Sequence, residues 1–240
     1  MCTLLFNKFK NSIVFTSNRD DNILRNATEF EKINHQNYQI FYPKDKLKGG
    51  TWLAFDSRGN VAILLNGCDE KHIKMPYHTS SRGYIAIDFL KMNVSVSEFA
   101  HQYCFKSFEP FTLVVLKNGQ LQELKWNDKE NVITVFENIP ENKIWSSVTL
   151  YDKENREKRA AIFADFIKNV EINTTALFEL LSTKKDDLEN GFYINRSCLQ
   201  TLTTSQIELL QNEIRFKVFN HISKEYTHIN ISTNEVLVSQ

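Results

Sequence analysis

The chain has 240 residues, 29 Lys+Arg against 29 Asp+Glu, 42% hydrophobic residues and 18 Phe. That is the composition of a globular protein with enough aromatic area for a sizeable core. It excludes a dedicated nucleic-acid binder, which needs a surplus of cations, and it contains no apolar run long enough to form a transmembrane segment.

In chain order, residues 2–6 are apolar but too few for a signal peptide, and Lys8 and Lys10 place charge directly after them. Residues 3–6 and 13–17 predict a hairpin that holds the N-terminus in a sheet. Residues 26–48 read as a long, irregular loop, a length that is often functional. The run from Gly49 to Phe55, the turn Asp56-Ser57-Arg58-Gly59 and the run 61–66 predict strand, turn and strand. Residues 61–65 are almost wholly apolar, as in a strand covered on both faces. A helix is expected through Met92 after Ser81-Arg82-Gly83, and Ser95 is placed to cap a second over 96–103.

Asn118-Gly119 between 111–116 and 121–126 is a strong hairpin signal. Residues 132–136 and 143–147 predict further strands. Residues 153–168 are expected as a helix buried on Ala160, Phe163, Ala164 and Ile167, with Arg156, Lys158 and Arg159 on a solvated face. A helix over 174–181, a hairpin over 199–210 and 213–219, and an edge strand over 226–231 complete the reading. No repeat or linker divides the chain, so 1–240 reads as a single domain. The segregation of strands from helices argues for an α+β fold.

The four cysteines, Cys2, Cys68, Cys104 and Cys198, show no CxxC spacing. They read as reduced thiols in a cytoplasmic setting, with Cys104 and Cys198 as small core residues. Cys68, His72 and His78, beside His101 and Cys104, match no zinc spacing, and no metal is expected. Five of the seven glycines fall within residues 49–83. Glycine is needed where φ is positive or where the backbone closely approaches something, and turn chemistry accounts for Gly59 and Gly119 better than for Gly49-Gly50 or Gly67.

Cys2 comes directly after the initiator Met. Removal of Met1 leaves a thiol nucleophile and an α-amine of pKa about 7.7–8.0 on one residue, so that nucleophile and general base coincide. In the predicted hairpin, Asn18-Arg19-Asp20-Asp21 returns close to Cys2. A guanidinium there would lower the thiol pKa and a carboxylate would orient the amine.

Met1-Cys2-Thr3-Leu4-Leu5-Phe6, Asn18-Arg19-Asp20-Asp21 with Arg25 beyond, Gly49-Gly50-Thr51-Trp52-Leu53-Ala54, Leu64-Leu65-Asn66, Ser81-Arg82-Gly83, and Trp145-Ser146-Ser147 with Leu150-Tyr151 and Arg156–Arg159 occur in order. Together they resemble the NRDE-motif family, also called the transport and Golgi organisation protein 2 family, most closely over the first 168 residues. The resemblance implies a four-layer αββα sandwich of the N-terminal-nucleophile hydrolase type. It implies Cys2 as nucleophile, Arg19 with Asp20 or Asp21 in support, and Asn66 as oxyanion donor. It places Asn18, Trp52, Arg82, Ser146 and Ser147 around a small-molecule substrate.

The implied reaction is hydrolysis of a linear, non-peptide C–N bond without a cofactor, as in related cysteine amidases. Through members linked to haem movement and lipid homeostasis, the alternative is a non-catalytic haem or lipid binding and trafficking protein on the same fold. Three departures bear on competence. Asp21 stands where the family usually has Glu, Ser146-Ser147 where the amidases offer Asn, and Leu202 where many relatives have Arg.

Overall fold

The computed structural model describes residues 3–26, 29–185 and 187–233. Met1 and Cys2, and with them the expected nucleophile, lie outside the described residues.

The first hairpin, β1 (Thr3–Lys8) and β2 (Ser12–Asp21), pairs in register with Phe6 opposite Phe15. β2 carries the 18–21 tetrad at its C-terminal end. The segment expected as a loop holds instead a second hairpin, β3 (Glu29–His35) and β4 (Tyr38–Lys44). Two features hid it. Its reverse turn contains no glycine, since Gln36 itself takes φ 50°. β4 also buries both faces, with Tyr38, Ile40 and Tyr42 on one side and Phe41 on the other, so polar alternation is lost.

Next in the chain are β5 (Leu53–Asp56) and β6 (Val61–Asn66), and every residue of 61–65 is at most 3% exposed, as the unbroken apolar run predicts. The short helices α1 (Ile85–Met92) and α2 (Val96–Gln102) cover this region. Ser95 and Glu98 form the reciprocal capping box that starts α2. β7 (Phe111–Lys117) and β8 (Gln120–Trp126) turn at Asn118-Gly119, both with positive φ. β9 (Asn131–Val135) and β10 (Asn142–Ser146) lead into α3 (Lys153–Asn169) and α4 (Thr174–Ser182). The chain closes with β11 (Gln200–Leu210), β12 (Glu213–Asn220) and β13 (Glu225–Ser232).

The described strands form two sheets, in the orders β10-β1-β2-β11-β12-β13 and β3-β4-β5-β6-β7-β8-β9. All neighbours are antiparallel. Phe6, Phe15, Phe55 and Phe216 pack between the sheets. Phe89 of α1 and Phe99 of α2 pack on the outer face of the second sheet. Phe163 of α3 and Leu177 and Leu181 of α4 pack on the outer face of the first, against Leu5 and Val14. The layers therefore run αββα, as expected. The longest described helix has 17 residues, and none is long and apolar enough to cross a membrane.

α3 is rotated from expectation. Its buried residues are Arg159 and Phe163, while Ala160 and Ala164 are both exposed: Phe163 alone of the expected apolar stripe is fully buried. The small alanines marked the wrong edge of the stripe, since the inward face runs through Arg159, Phe163, Phe166 and Ile167.

Candidate active site

Strand pleating divides the 18–21 tetrad. Successive side chains point to opposite faces, so Asn18 and Asp20 share the face of Val14, beneath the α3–α4 layer. Arg19 and Asp21 share the face of Phe15, toward the space between the sheets. Sequence adjacency made these four look like one cluster, whereas the fold makes two half-sites.

On the inner face, Arg19 is 3% exposed and lies over the Trp52 ring, 4.6 Å from its centroid. Its Nη2 donates to Asp21 at 3.2 Å and to Asp45 at 3.0 Å, and its Nη1 to the Arg25 carbonyl at 2.6 Å. Arg25 closes the cluster on Asp21 at 2.8 Å and on Asp45 at 2.5 Å. Burial alone would raise the Asp45 carboxyl, but Arg19 and Arg25, with hydrogen bonds, outweigh it and hold it below the usual range. Asp45 had no signal in the sequence beyond being an Asp in a turn. Its other oxygen caps the 45–48 turn by accepting from the Leu47 and Lys48 N–H groups.

These groups form one wall of a cavity of about 340 Å³, which Trp52, Asn66 and Arg82 also line. Arg19, Asp21, Trp52, Asn66 and Arg82 are thus brought together. The cavity's edge is fixed by backbone packed on backbone, since a Cβ on Gly50 would lie 2.8 Å from Gly83 Cα and Thr51 N–H donates to the Gly83 carbonyl at 2.7 Å. The close-approach reading of Gly50 holds for this reason.

Asn66 ends β6, where Gly67 takes φ 84° and turns the chain away. Its carbonyl accepts from Ser147 Oγ at 2.9 Å. Among the described residues its carboxamide makes no hydrogen bond, and Asn66 lines two cavities, the one above and a second of about 270 Å³ lined also by Ser146 and Ser147. Both serines are hydrogen-bonded into the frame, although each also lines that second cavity. Ser147 is 1% exposed, and Ser146 Oγ accepts from Arg159 Nε at 3.1 Å.

On the outer face, both N–H groups of the Asn18 carboxamide go to the Leu181 and Phe192 carbonyls at 2.8 and 2.9 Å, and its oxygen accepts from Thr204. Asn18, expected near substrate, instead ties β2 to α4 and the 192 region. Asp20 accepts from Thr201 Oγ1 at 2.7 Å and Tyr151 OH at 3.1 Å. Burial raises its pKa, while Thr201, the Arg159 charge and Tyr151 pull the other way.

Arg159, expected on a solvated face, is 1% exposed. It donates to Thr3 Oγ1, Ser146 and the carbonyls of Asn190 and Gly191, and lies 4.1 Å over the Tyr151 ring. A signal existed: Arg156, Arg159 and Phe163 stand at i, i+3 and i+7, which is one helical stripe. Leu202 is fully buried beside a β-bulge, so the cation that many relatives place there has no counterpart on that strand. The buried cation of this outer face comes from α3.

The other cysteines are placed differently from expectation. Cys104 and Cys198 are exposed, not core residues. Cys68 is buried and donates to Asp69, and burial, then the Asp69 carboxylate, pushes its thiol up to about 12. His72 and His78 pair with Glu109 and Asp128 at 3.1 and 3.0 Å. Among the described residues no set of three or more His, Cys, Asp or Glu side chains is placed to hold a metal.

The family model described as Transport and Golgi organisation 2 matches residues 1–236. The chain belongs to that family. No curated protein matches it in sequence. Among solved structures, a Caenorhabditis elegans ortholog of N-acylethanolamine-hydrolyzing acid amidase is similar at 13% identity, with TM-score 0.60 over 86% of this chain and 92% of the other. Two structures of variant conjugated bile acid hydrolase from Clostridium perfringens are also similar. One has 12% identity and TM-score 0.55, covering 96% of this chain and 92% of the other. The second has 11% identity and TM-score 0.52, covering 100% and 99%. At these identities the likeness establishes a shared N-terminal-nucleophile hydrolase fold for this family member.

Proposed function

We propose that this family member is an N-terminal-cysteine amidohydrolase that acts on linear, non-peptide C–N bonds. The observation that carries the reading is the uncommitted carboxamide of Asn66, a residue that ends a buried strand and lines two cavities. An amide N–H donor left free at the end of a rigid strand suits the oxyanion of a tetrahedral intermediate.

After removal of Met1, the Cys2 thiolate attacks the amide carbon, and the α-amine carries the thiol proton to the leaving nitrogen. Asn66 holds the negative oxygen. The C–N bond breaks and a thioester remains. Water, deprotonated by the same amine, releases the acid and restores the thiol. Arg159, bonded to Thr3 and placed beside Asp20, holds the end of β1 that adjoins Cys2 in sequence. The Arg19–Asp45–Arg25 cluster fixes the cavity wall. The structural neighbours, an N-acylethanolamine-hydrolyzing acid amidase ortholog and a conjugated bile acid hydrolase, make a fatty or steroidal amide a sensible first screen.

The test is intact mass before and after a mild thiol probe. It must be run on the Cys104→Ser, Cys198→Ser background, because both of those thiols are exposed. A mass lacking Met1, with rapid single labelling that Cys2→Ala abolishes, is the expected outcome. Retention of Met1, or a Cys2 labelled no faster than the buried Cys68, would end the amidase reading.

A further inference from the structure

Five cations and three carboxylates line the larger cavity: Arg19, Arg25, Lys48, Lys74 and Arg82 against Asp21, Asp45 and Glu109. The three arginines are matched in number by the three carboxylates, so the surplus is the exposed pair Lys48 and Lys74, but the matching itself is uneven. Arg19 and Arg25 share the two aspartates, whereas Arg82 has only a loose approach to Glu109 at 3.6 Å and one bond to the Pro110 carbonyl at 2.9 Å. Its side chain is 15% exposed. Burial lowers its pKa, Glu109 opposes the shift, and the like charge of Arg25 adds to it, so the two guanidiniums repel each other at this cavity. Trp52, on the same lining, is 4% exposed, and its indole N–H is buried with no partner among the described residues. An indole is a donor only, so an acceptor is what it lacks.

We propose that this cavity binds the carboxylate of its ligand, seated between Arg25 and Arg82 with the Trp52 N–H as a further donor. A monoanion fits better than a dianionic phosphate. The sheltered donors are one loosely paired guanidinium and one neutral N–H, while Lys48 and Lys74, which carry the cavity's surplus charge, are exposed. A dianion would lose more hydration than these groups return. The residues adjoining the lining point to the rest of the ligand. Leu24 is 81% exposed, Leu47 63% and Ile73 84%, and each is the chain neighbour of a lining cation, Arg25, Lys48 or Lys74. Single exposed apolar residues need no explanation, but three flanking one charged cavity fit an apolar chain leaving its mouth. Resting on the amidase reading for the scissile bond, this assigns the substrate class as N-acyl amino acids, with the acid group in the cavity and the acyl chain at its rim.

The test uses the full-length Cys2→Ala protein, so that binding is read without turnover. Hexanoylglycine is compared with the neutral hexanoylglycinamide by titration calorimetry, while the indole N–H resonance of Trp52 is tracked by NMR and assigned with Trp52→Phe. The expected result is a preference of about tenfold or more for the carboxylate and a shifted Trp52 resonance, as a charge-assisted bond in a sheltered site gives. Arg82→Gln should abolish the preference. Arg25→Gln, at a half-exposed residue, should reduce it and provides a second variant if Arg82→Gln fails to fold. Equal binding of the neutral amide, or displacement by inorganic phosphate at lower concentration than by hexanoylglycine, overturns the proposal. If the preference appears but the unmodified protein never cleaves hexanoylglycine, the assignment of N-acyl amino acids as substrates falls and the carboxylate site stands, while the amidase reading is decided by Met1 removal and Cys2 labelling.

Discussion

The two outer layers of the sandwich are built on different principles. Beneath α1 and α2 the layer is aromatic: Phe99 meets Phe89 at 5.2 Å and Phe105 at 5.6 Å, and Phe105 meets Trp126 at 5.8 Å. Beneath α3 and α4 the apolar contacts share the layer with Asn18, Arg159, Gln206 and His221, all buried. Gln206 spans Thr16 and the Thr174 carbonyl at 2.8 Å each, and His221 meets Thr204 at 2.9 Å. Apolar burial is non-directional and tolerates small shifts. A buried polar network is stable only when each donor finds its acceptor, so it fixes register. The polar layer is the one that holds the end of β1 next to Cys2.

The largest expected effect sharpens the contrast. Phe99→Ala in the aromatic layer should cost about 3–5 kcal/mol, as truncation of a buried Phe does, measured by the urea midpoint. Because that layer only supplies stability, Cys2 labelling in the still-folded variant should keep its rate. A slowed rate would break the division between the layers.

Arg159→Met is expected to cost about 3–4 kcal/mol, since it leaves Asp20 and four acceptors without their buried cation. Here stability and labelling rate should fall together, with the pH profile of labelling displaced. Arg159→Lys should not restore either, because an ammonium cannot reproduce the planar fork that serves Thr3, Ser146 and two carbonyls. Full rescue by Lys would show that charge alone matters.

The smallest effect tests the polar layer through pH. Burial, with the nearby Lys224 charge, holds His221 down to about 4 against an ordinary 6.5. The folded state therefore keeps it neutral while the unfolded chain takes up a proton. Its contribution is fully present above pH 6.5 and is lost as pH falls from there toward 4, by at most about 3 kcal/mol. Comparing urea midpoints of the natural chain and His221→Gln at about pH 7 and about pH 4.5 isolates this, and parallel losses in both proteins would remove His221 as the cause.

Most elements were legible in the sequence because their signals are local. Asn118-Gly119 marks its hairpin, Ser95 and Glu98 mark a helix start, and the run 61–65 marks a doubly covered strand. The β3–β4 hairpin was not legible, since a glycine-free turn and a strand buried on both faces carry neither of the usual marks. The exposed Cys104 and Cys198 were misplaced for the related reason that a cysteine's burial depends on what packs over it.

By itself the sequence determined the αββα layering, the family, and the set from which a site is drawn: Arg19, Asp21, Trp52, Asn66 and Arg82 do line one cavity. Only the tertiary structure decided how the tetrad is shared out. Pleating sends Arg19 and Asp21 to the cavity and Asn18 and Asp20 to the helical layer, and contacts between residues distant in the chain choose Asp45 as the counter-charge of Arg19 in the one and Arg159 as that of Asp20 in the other. Such pairings depend on which strands and helices stack, and adjacency in the sequence carries no record of that.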